Sequence, residues 1–531
     1  MRTFLIQHLL QQSAIAHPDK IAVVCGKEEI SYQQLDERSS QLANVLIRLG
    51  VQFGDRVGIQ LAHSIDSVIS LFGILKAAAV YVPIDPLSPV ERARHIVNNC
   101  TLQCVITSAD VAAKTIALMG KETPLRNVLL TGKGVDALKA DIPGFITHTL
   151  NEECAKESNT APEFSISDSH PAYILHTSGS TGVPKGVVIA HQNSLSFVDM
   201  IADRFDFTEC DRVASHAPLH FDLSVFDVFT ALKCSGTVVM VPKRYSVFPK
   251  ELAKYISEQK ISVWNSVASV IALLAENGKL EEFDFEALRL VHFSGEVLAV
   301  RHLKIAMRAM PKASFVNQYG QTEANSTMCY PIEQLPDSPN QKMPIGNAMP
   351  GCEVFALNAE GTEISAAGEE GELHIKSSTI ALGYWSDTAL TTEKFITDPR
   401  DQIACGRVYK TGDLVTLNEH GEYIMLGRKD ALIKSRGYRI DLGEVESVLY
   451  HCDAVEVVAA IAVPHDLIGN EIVVYLRLKD SSYTVEKLFE HCAAYLPQYM
   501  LPKAIELVKE LPYTSTGKID KKTLREQALV N

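Results

Sequence analysis

A run rich in glycine and hydroxyl side chains, Thr177 to Gly186, has the residue types of a phosphate-binding loop. The apolar residues Ala172 to Leu175 before it predict a strand that leads into the loop. Glycine lets the backbone approach an anion closely, successive N–H groups then converge on phosphate oxygens, and a lysine adds positive charge. We therefore expect phosphate to be bound by Thr177, Ser178, Gly179, Ser180, Thr181, Gly182 and Lys185.

The loop differs from the two best-known phosphate-binding patterns. It contains neither G-x-x-x-x-G-K-[ST] nor, after the strand, G-x-G-x-x-G. A flexible surface loop is the alternative interpretation, because most stretches rich in glycine and serine are of that kind. The preceding strand and Lys185 favour a phosphate site.

The segment T-S-G-S-T-G-V-P-K-G resembles the signature of adenylate-forming enzymes, which include acyl-CoA synthetases, luciferases and the adenylation domains of nonribosomal peptide synthesis. Further stretches match that family in order: L-K-A-A-A-V-Y-V-P-I-D-P at 75–86, N-Q-Y-G-Q-T-E at 317–323, Y-K-T-G-D-L at 409–414, the run from G-R-K-D to K-S-R-G-Y-R at 427–439, and L-P-Y-T-S-T-G-K-I-D at 511–520. The resemblance extends over nearly the whole chain. It implies a ligase that uses ATP and Mg²⁺ to activate a carboxylic acid as its adenylate.

The resemblance also implies roles for single residues. Lys518 would bridge the substrate carboxylate and the α-phosphate and stabilise developing charge, with Thr181 and Lys185 as further catalytic residues. Glu323 would hold Mg²⁺, which prefers hard oxygen ligands. The remaining nucleotide contacts would be Asn317 and Tyr319 at adenine, Gly320, Thr322 at the α-phosphate, Asp413 at the ribose hydroxyls and Arg428 beside the ribose. In one departure from the family pattern, Gln321 stands where proline is usual, which changes the stiffness of the loop.

Asp222, in F-D-L-S at 221–224, indicates which acid is activated. In members of the family that activate amino acids, an aspartate here pairs with the α-ammonium group, and a buried carboxylate is costly unless it is paired. A helix N-cap is the alternative role. The other pocket positions implied by the motifs are Leu223, Phe226, Asn265, His292, Ser294, Gln318, Ser326, Thr327 and Lys518. Since Phe226 would shorten the pocket, we expect glycine, alanine or serine, with proline next.

The end of the chain implies a second reaction. Gly437 matches the place where the thiol arm passes in the family, and Asp430 matches the hinge about which the small domain rotates, although a turn cap is its alternative role. Because no carrier segment follows Lys518, we expect a free-standing ligase similar to D-alanine:carrier-protein ligases. Its acceptor would be the phosphopantetheine arm of a separate carrier protein, for which Arg436 and Arg439 are either a docking patch or structural residues.

Three other functions compete with this interpretation. An acyl-CoA synthetase would use a carboxylic acid and free CoA, and a luciferase-type oxygenase would consume its own adenylate; Asp222 disfavours both. A non-catalytic binding protein is disfavoured because Lys185, Thr181, Glu323 and Lys518 are all present.

The elements that must position these residues alternate along the chain. Apolar runs at Val80–Pro86, Val105–Thr107 and Asn127–Thr131 alternate with helical periodicity, which predicts parallel sheets covered by helices. We expect an α/β fold: a large N-terminal domain (1–427) of two parallel-rich α/β sheet subdomains plus a β-barrel-like part, and a small mobile α+β C-terminal domain (428–531) with its hinge near Asp430.

Composition limits the other possibilities. The 531 residues carry a formal charge of −14, which argues against nucleic-acid binding. The most apolar long window, Val68 to Ile84, contains Lys76 and is too short for a clean membrane span. The eleven cysteines include no C-x-x-C pair, so we expect reduced cysteines in a cytoplasmic protein.

Overall fold

The computed structural model describes residues 3–116, 119, 122–132, 135, 142, 144–178, 183–334, 343–400, 406–429, 432–479, 483–512 and 519–530. Strands and helices alternate over its first 330 residues. The strands are β1 Ile21–Cys25, β2 Glu28–Ser31, β3 Arg56–Gln60, β4 Val80–Pro83, β5 Cys104–Ser108, β6 Asn127–Thr131, β7 Ile146–Thr149, β8 Pro171–Thr177, β9 Lys185–Ala190, β10 Arg212–Ser215, β11 Thr237–Met240, β12 Val263–Val267, β13 Leu290–Ser294, β14 Ser314–Gln321 and β15 Asn325–Ile332.

The helices of this region lie between those strands. The longer ones are Gln7–Ala16, Tyr32–Arg48, Ile65–Lys76, Val90–Asn99, Leu150–Cys154, His191–Arg204, Pro249–Glu258, Ala268–Asn277 and Val300–Ala309. Shorter helical turns are Ala109–Val111, Ala112–Ile116, Leu223–Val225, Phe226–Thr230, Ala231–Lys233, Lys243–Val247 and Leu280–Glu282.

Short strands and hairpins follow. They are β16 Asn347–Ala348, β17 Cys352–Leu357, β18 Glu370–Ser377, β19 Gly383–Tyr384, β20 Phe395–Thr397, β21 Arg407–Leu417, β22 Tyr423–Arg428, β23 Leu432–Ser435, β24 Tyr438–Asp441, β25 Val455–His465, β26 Gly469–Leu478 and β27 Ala504–Leu507. The helices here are Thr388–Lys394, Leu442–Tyr450, Val485–Tyr495, Gln498–Met500 and Lys521–Val530.

Two large sheets dominate the described part of the chain. One has the order β16-β15-β14-β13-β12-β10-β11-β1-β2, and the other the order β19-β9-β8-β4-β3-β5-β6-β7. Their central strands pair in parallel, whereas antiparallel pairs lie toward the edges. The predicted α/β class with two parallel-rich sheets is confirmed.

Two further regions complete the fold. An antiparallel sheet, β17-β18-β21-β20 with β22 added on β21, occupies the region predicted to be barrel-like. Beyond it, the β23–β24 hairpin and the β25-β26-β27 sheet pack with helices around a core of their own that includes Val445, Leu449 and Val474. A separate C-terminal domain is therefore confirmed. Arg428 still belongs to β22, so the last strand of the large domain extends to that residue.

The helix Ile65–Lys76 illustrates how the sequence forms these elements. Its Ser64 cap and Ser67 bond each other's backbone amides in a capping box, and nearly every side chain of the helix is buried. Lys76 is buried as well, and its ammonium group donates to the carboxylate of Asp36 at 2.6 Å. The positive charge of Lys76, which lies within the apolar stretch Val68 to Ile84, is therefore paired inside the core. None of the described helices has the length and apolar character needed to cross a membrane.

Candidate active site

The carboxyl ends of three neighbouring parallel strands form the floor of a cavity. Ser294 ends β13, Gln318 lies where the pairing of β14 with β13 ends, and Asn265 lies in the middle of β12. The strand register places Val267 beside Ser294 and Ser294 beside Gln318, so these side chains share one face of the sheet. Ligands in α/β proteins bind in the crevice outside such strand ends.

The cavity has a volume of about 100 Å³, and most of the predicted site residues that the structure describes line it. These are Thr177, Ser178, Asp222, Leu223, Phe226, Asn265, Ser294, Gln318, Gly320, Thr322, Ser326 and Gly437. A more open groove of about 600 Å³ elsewhere is lined by none of the predicted residues.

Asp222 faces this cavity with an oxygen held by a neighbour. The Thr322 hydroxyl donates to Asp222 Oδ2 at 2.9 Å. Burial raises the pKa of Asp222 above its ordinary value, although the Thr322 hydrogen bond and the nearby Lys434 charge act in the opposite direction. Its side chain makes no N-cap hydrogen bond to the following helical turn. The carboxylate is thus positioned for a partner that enters the cavity.

Glu323 is fully enclosed and paired with a cation from the C-terminal domain. Arg439 Nη1 lies 2.9 Å from both carboxylate oxygens, and the Tyr384 hydroxyl donates to Oε1 at 2.8 Å. Burial alone would raise the pKa of Glu323, but Arg439 and Tyr384 outweigh it, so the pKa is lowered. Within the described residues, no group of three or more carboxylate, imidazole or thiol side chains forms a metal cage.

Asp413 is the centre of a second buried network. Tyr319 donates its hydroxyl, and Gln321 its amide, to Asp413 Oδ2, while Arg428 pairs with Oδ1. Tyr409 in turn donates to Gln321 Oε1 at 2.6 Å. Gln321, which stands where the family usually has proline, therefore bonds directly to Asp413. The resemblance places the Asp413 carboxylate at the ribose.

The remaining nucleotide-loop residues connect the two domains. Thr177 pairs with Lys185 where β8 and β9 meet. The Ser178 hydroxyl donates to the carbonyl oxygen of Arg439 at 2.5 Å and accepts from the amide of Asp441 at 3.1 Å. Asn317 donates its side-chain amide to the carbonyl of Pro344 at 2.8 Å. The loop entrance thus contacts the β23–β24 hairpin directly.

Gly437 lies in the turn of that hairpin, against the large domain. Its φ of +79° is in the left-handed region, and a Cβ added there would come within 2.2 Å of Val267 Cγ1. The Gly437 amide donates to Glu296 Oε1 at 2.9 Å. Tyr438 stacks on Tyr499 with ring centroids 3.6 Å apart and meets the edge of Phe221. Only glycine allows this close approach.

Some predicted residues lie elsewhere. His292 is buried behind the cavity wall, with its ring 5.0 Å from that of Phe226, and burial lowers its pKa to about 3. Thr327 is buried and does not line the cavity either. Six predicted residues lie outside the described part of the chain: Gly179, Ser180, Thr181, Gly182, Asp430 and Lys518.

Sequence reasoning missed several residues of the cavity wall. Lys434, Tyr438 and Tyr499 enter from the C-terminal domain, and Gln321 and His220 from the large domain. Burial lowers the pKa of Lys434, even though Asp413 and Asp222 favour its charged form. Lys434 and Tyr438 lie in the same motif as Gly437, so the sequence contains a signal that they belong to the site. No motif marks Tyr499. Arg439, considered for a surface patch, is paired inside the site, whereas Arg436 is exposed.

The comparisons with known proteins agree with this fold. The model of the AMP-binding enzyme family matches residues 10–385, and that of the AMP-binding enzyme C-terminal domain matches residues 444–518. The chain belongs to the family of AMP-binding enzymes.

Two relatives and one solved structure illustrate the similarity. An L-proline–[L-prolyl-carrier protein] ligase of Pseudomonas fluorescens is 33% identical over 98% of this chain and 99% of its own length. Tyrocidine synthase 3 of Brevibacillus parabrevis is 31% identical over 98% of this chain, which spans only 8% of that protein. The Vibrio cholerae adenylation domain AlmE, solved with glycyl-adenosine-5'-phosphate, has a TM-score of 0.84 at 22% identity, covering 100% of this chain and 99% of its own. That last likeness concerns the fold alone.

Proposed function

We propose that the protein activates a small α-amino acid with ATP and then transfers it to a carrier protein. The first step forms the aminoacyl-adenylate and releases pyrophosphate; the second forms a thioester with the phosphopantetheine thiol of a separate carrier. One observation carries the proposal: the Asp222 carboxylate lines the same cavity as Thr322 and Gly437 and accepts a hydrogen bond from Thr322. The similarity to a prolyl-carrier-protein ligase along its whole length supports it.

Asp222 selects an amino acid over a plain carboxylic acid. Its burial disfavours the charged form, and an α-ammonium group in the cavity restores the missing counter-charge. A carboxylic acid without an amine leaves that carboxylate unpaired. The substrate therefore binds with its ammonium at Asp222, and its carboxylate is left to face the phosphates.

The nucleotide lies between the glycine-rich loop and the Asp413 network. Asp413 already accepts from Tyr319, Gln321 and Arg428, so it is held rigidly for the ribose hydroxyls. Thr177 and Lys185 begin and end the phosphate loop. Lys518, in the role that the family resemblance gives it, neutralises the charge that develops between substrate carboxylate and α-phosphate.

Glu323 is the residue that would hold Mg²⁺. Its buried carboxylate supplies the hard oxygen ligands that the ion prefers, and phosphate oxygens complete such sites. The ion, when bound, would neutralise charge on the phosphates. In the described orientation both Glu323 oxygens accept from Arg439, so Glu323 would hold the ion in an orientation in which Arg439 lies elsewhere.

The hairpin turn at Gly437 serves the second step. It lines the cavity beside Asp222, and its lack of a side chain lets the hairpin pack directly against Val267 at the site where the thiol would arrive. We infer that this orientation of the C-terminal domain serves thioester formation, and that adenylation, in which Lys518 would act, uses a second orientation.

Phe226 is bulky and buried in the cavity wall, where it would shorten the space for a side chain and so favour glycine, alanine or serine. Proline is the second candidate, since the relative that matches along its full length is a proline ligase.

A panel of ATP–pyrophosphate exchange reactions tests the function. We expect exchange with one small amino acid and none with acetate, fatty acids or aryl acids, followed by thioester loading of a carrier protein. Lys518→Ala abolishes exchange and retains ATP binding, whereas Lys522→Ala, an exposed lysine of the following helix, changes neither. Exchange with carboxylic acids alone would establish an acyl-CoA synthetase instead.

A further inference from the structure

The amide side chain of Gln321 is bonded through both of its polar atoms inside the protein. Its Nε2 donates to the carboxylate of Asp413 and, at 3.2 Å, to the carbonyl oxygen of Thr411. Its Oε1 accepts from the Tyr409 hydroxyl at 2.6 Å. The residue is only 4% exposed, and both N–H donors of its amide are directed at protein oxygens. Gln321 therefore acts on a bound ligand through its neighbours rather than through its own amide group.

The chemistry of these neighbours fixes which way the amide points. An ionised carboxylate and a carbonyl oxygen only accept hydrogen bonds, so the nitrogen must face Asp413 and Thr411. The opposite orientation would place the amide oxygen against the Asp413 carboxylate. The Tyr409 hydroxyl stabilises the described orientation, because it donates to the amide oxygen on the other side.

Gln321 connects the strand of the predicted adenine contact to the strand of the predicted ribose contact. Gln321 and Tyr319 belong to β14, whereas Tyr409, Thr411 and Asp413 are alternate residues of β21. Tyr319 and Gln321 both donate to Asp413 Oδ2, and the Tyr319 hydroxyl lies 3.5 Å from Gln321 Nε2. Proline, which is usual at position 321 in the family, has no side-chain donor and cannot make this connection.

Resting on the proposed position of the nucleotide, we infer that Gln321 positions the Asp413 carboxylate for the ribose and thereby makes this protein select ATP over nucleotides without ribose hydroxyls. A hydrogen bond weakens steeply when it is poorly aligned. An acceptor that is held in one orientation before the ligand arrives also loses less conformational freedom on binding. Gln321 is thus a positioning residue that acts through Asp413, and Tyr409 orients it.

A role confined to stability would have a different signature. Packing between β14 and β21 would support every nucleotide equally, whereas the orientation of Asp413 affects only a nucleotide whose ribose donates to it. A comparison of ATP with 2′,3′-dideoxy-ATP, which lacks both hydroxyls, separates the two roles.

Isothermal titration calorimetry in the presence of Mg²⁺ measures the Kd of each nucleotide without an amino acid. In the wild-type protein we expect the Kd of dideoxy-ATP to be at least about 10-fold higher than that of ATP. Gln321→Met keeps the length of the side chain and removes both polar atoms, so it should lower this ratio at least about 3-fold by weakening the binding of ATP. The matched control Gln192→Met, on an exposed residue, leaves the ratio unchanged.

Tyr409→Phe provides a second test, because it removes only the hydroxyl that orients the amide. It should lower the ratio as well, and it decides the question if Gln321→Met does not fold. A wild-type ratio in the variants that fold would overturn the inference and leave amino-acid activation intact. Equal Kd values for the two nucleotides in the wild-type protein would overturn the proposed place of the ribose at Asp413, and the inference with it.

Discussion

At the scale of single residues, the role proposed for Asp222 conflicts with stability. Its pKa is raised in the folded protein by burial, so the folded state holds the proton more strongly than the unfolded chain does. This unfavourable contribution to the free energy of unfolding is absent below the pKa of the unfolded chain, about 3.9. It grows as the pH rises through the higher pKa that Asp222 has in the folded protein. Above that range the ionised carboxylate lowers the free energy of unfolding until an ammonium group pairs with it.

Asp222→Asn should therefore stabilise the protein and inactivate it. We expect a higher Tm than wild type at pH 7 and a difference that shrinks toward pH 4, since asparagine does not titrate. Loss of the ammonium partner should cost about 2–4 kcal/mol in kcat/KM for amino-acid-dependent exchange. Thermal unfolding between pH 4 and 8 and exchange kinetics measure both effects, with Asp110→Asn on the exposed surface as the control. A lower Tm at pH 7 would contradict the assigned burial penalty.

At the scale of elements, two buried ion pairs hold the C-terminal domain against the large domain. Arg92, on the helix Val90–Asn99, pairs with Glu444 on the helix Leu442–Tyr450, with 7% and 2% of their side chains exposed. Arg439 pairs with Glu323. Removing one partner of such a pair leaves a buried charge, which costs about 3–5 kcal/mol. Rotation of the domain relieves that cost by returning the charge to water.

Arg92→Met should therefore disfavour the described orientation. We expect thioester loading to slow by at least about 10-fold, because the loading orientation is depopulated, with exchange much less affected. Arg94→Met is the matched control: Arg94 is on the same helix, and its ion pair with Glu91 lies within that helix. Equal loss of both reactions in Arg92→Met would instead indicate a general folding defect.

At the scale of the whole molecule, the site is complete only when two domains meet. Asp222, Asn265 and Gln318 come from the large domain, and Gly437 and Lys434 from the small one. Each half-reaction needs different groups at one place, which a rigid fold cannot supply at once. The domain rotation proposed above would supply both sets of groups, and the interface would then form and dissociate in every cycle.

Gly437→Ala tests that interface. The added Cβ would lie within 2.2 Å of Val267 Cγ1, so the domains cannot approach, and we expect loading to fall by at least about 100-fold while exchange persists. Gly421→Ala controls for backbone strain alone, because its φ of +73° is similar and nothing lies within 4 Å of its added Cβ. Single-turnover loading of a carrier protein measures the effect. Wild-type loading in Gly437→Ala would exclude this approach as the thioester-forming one.

The sequence by itself determined the class of fold and the residues available for chemistry. Alternating apolar runs predict parallel sheets because side-chain periodicity is a local property, and the structure has those sheets. The residue types identify the glycine-rich loop as a phosphate site, and the family resemblance points to Asp222, Glu323 and Asp413. Gln321 departs from the family pattern, but no feature of the sequence indicates its bond to Asp413.

The tertiary structure alone decided how those residues are paired and oriented. Arg92 contacts Glu444, which lies 352 positions away in the sequence, and Ser178 contacts Asp441, which lies 263 positions away. The periodicity of a sequence carries no information about contacts at such separations. The pairing of Arg439 with Glu323 depends on how one domain packs on the other. The bonds of Gln321 to Asp413 and Tyr409 appear only once the surrounding packing is known, because hydrogen-bond satisfaction is a property of three-dimensional neighbours rather than of residue type.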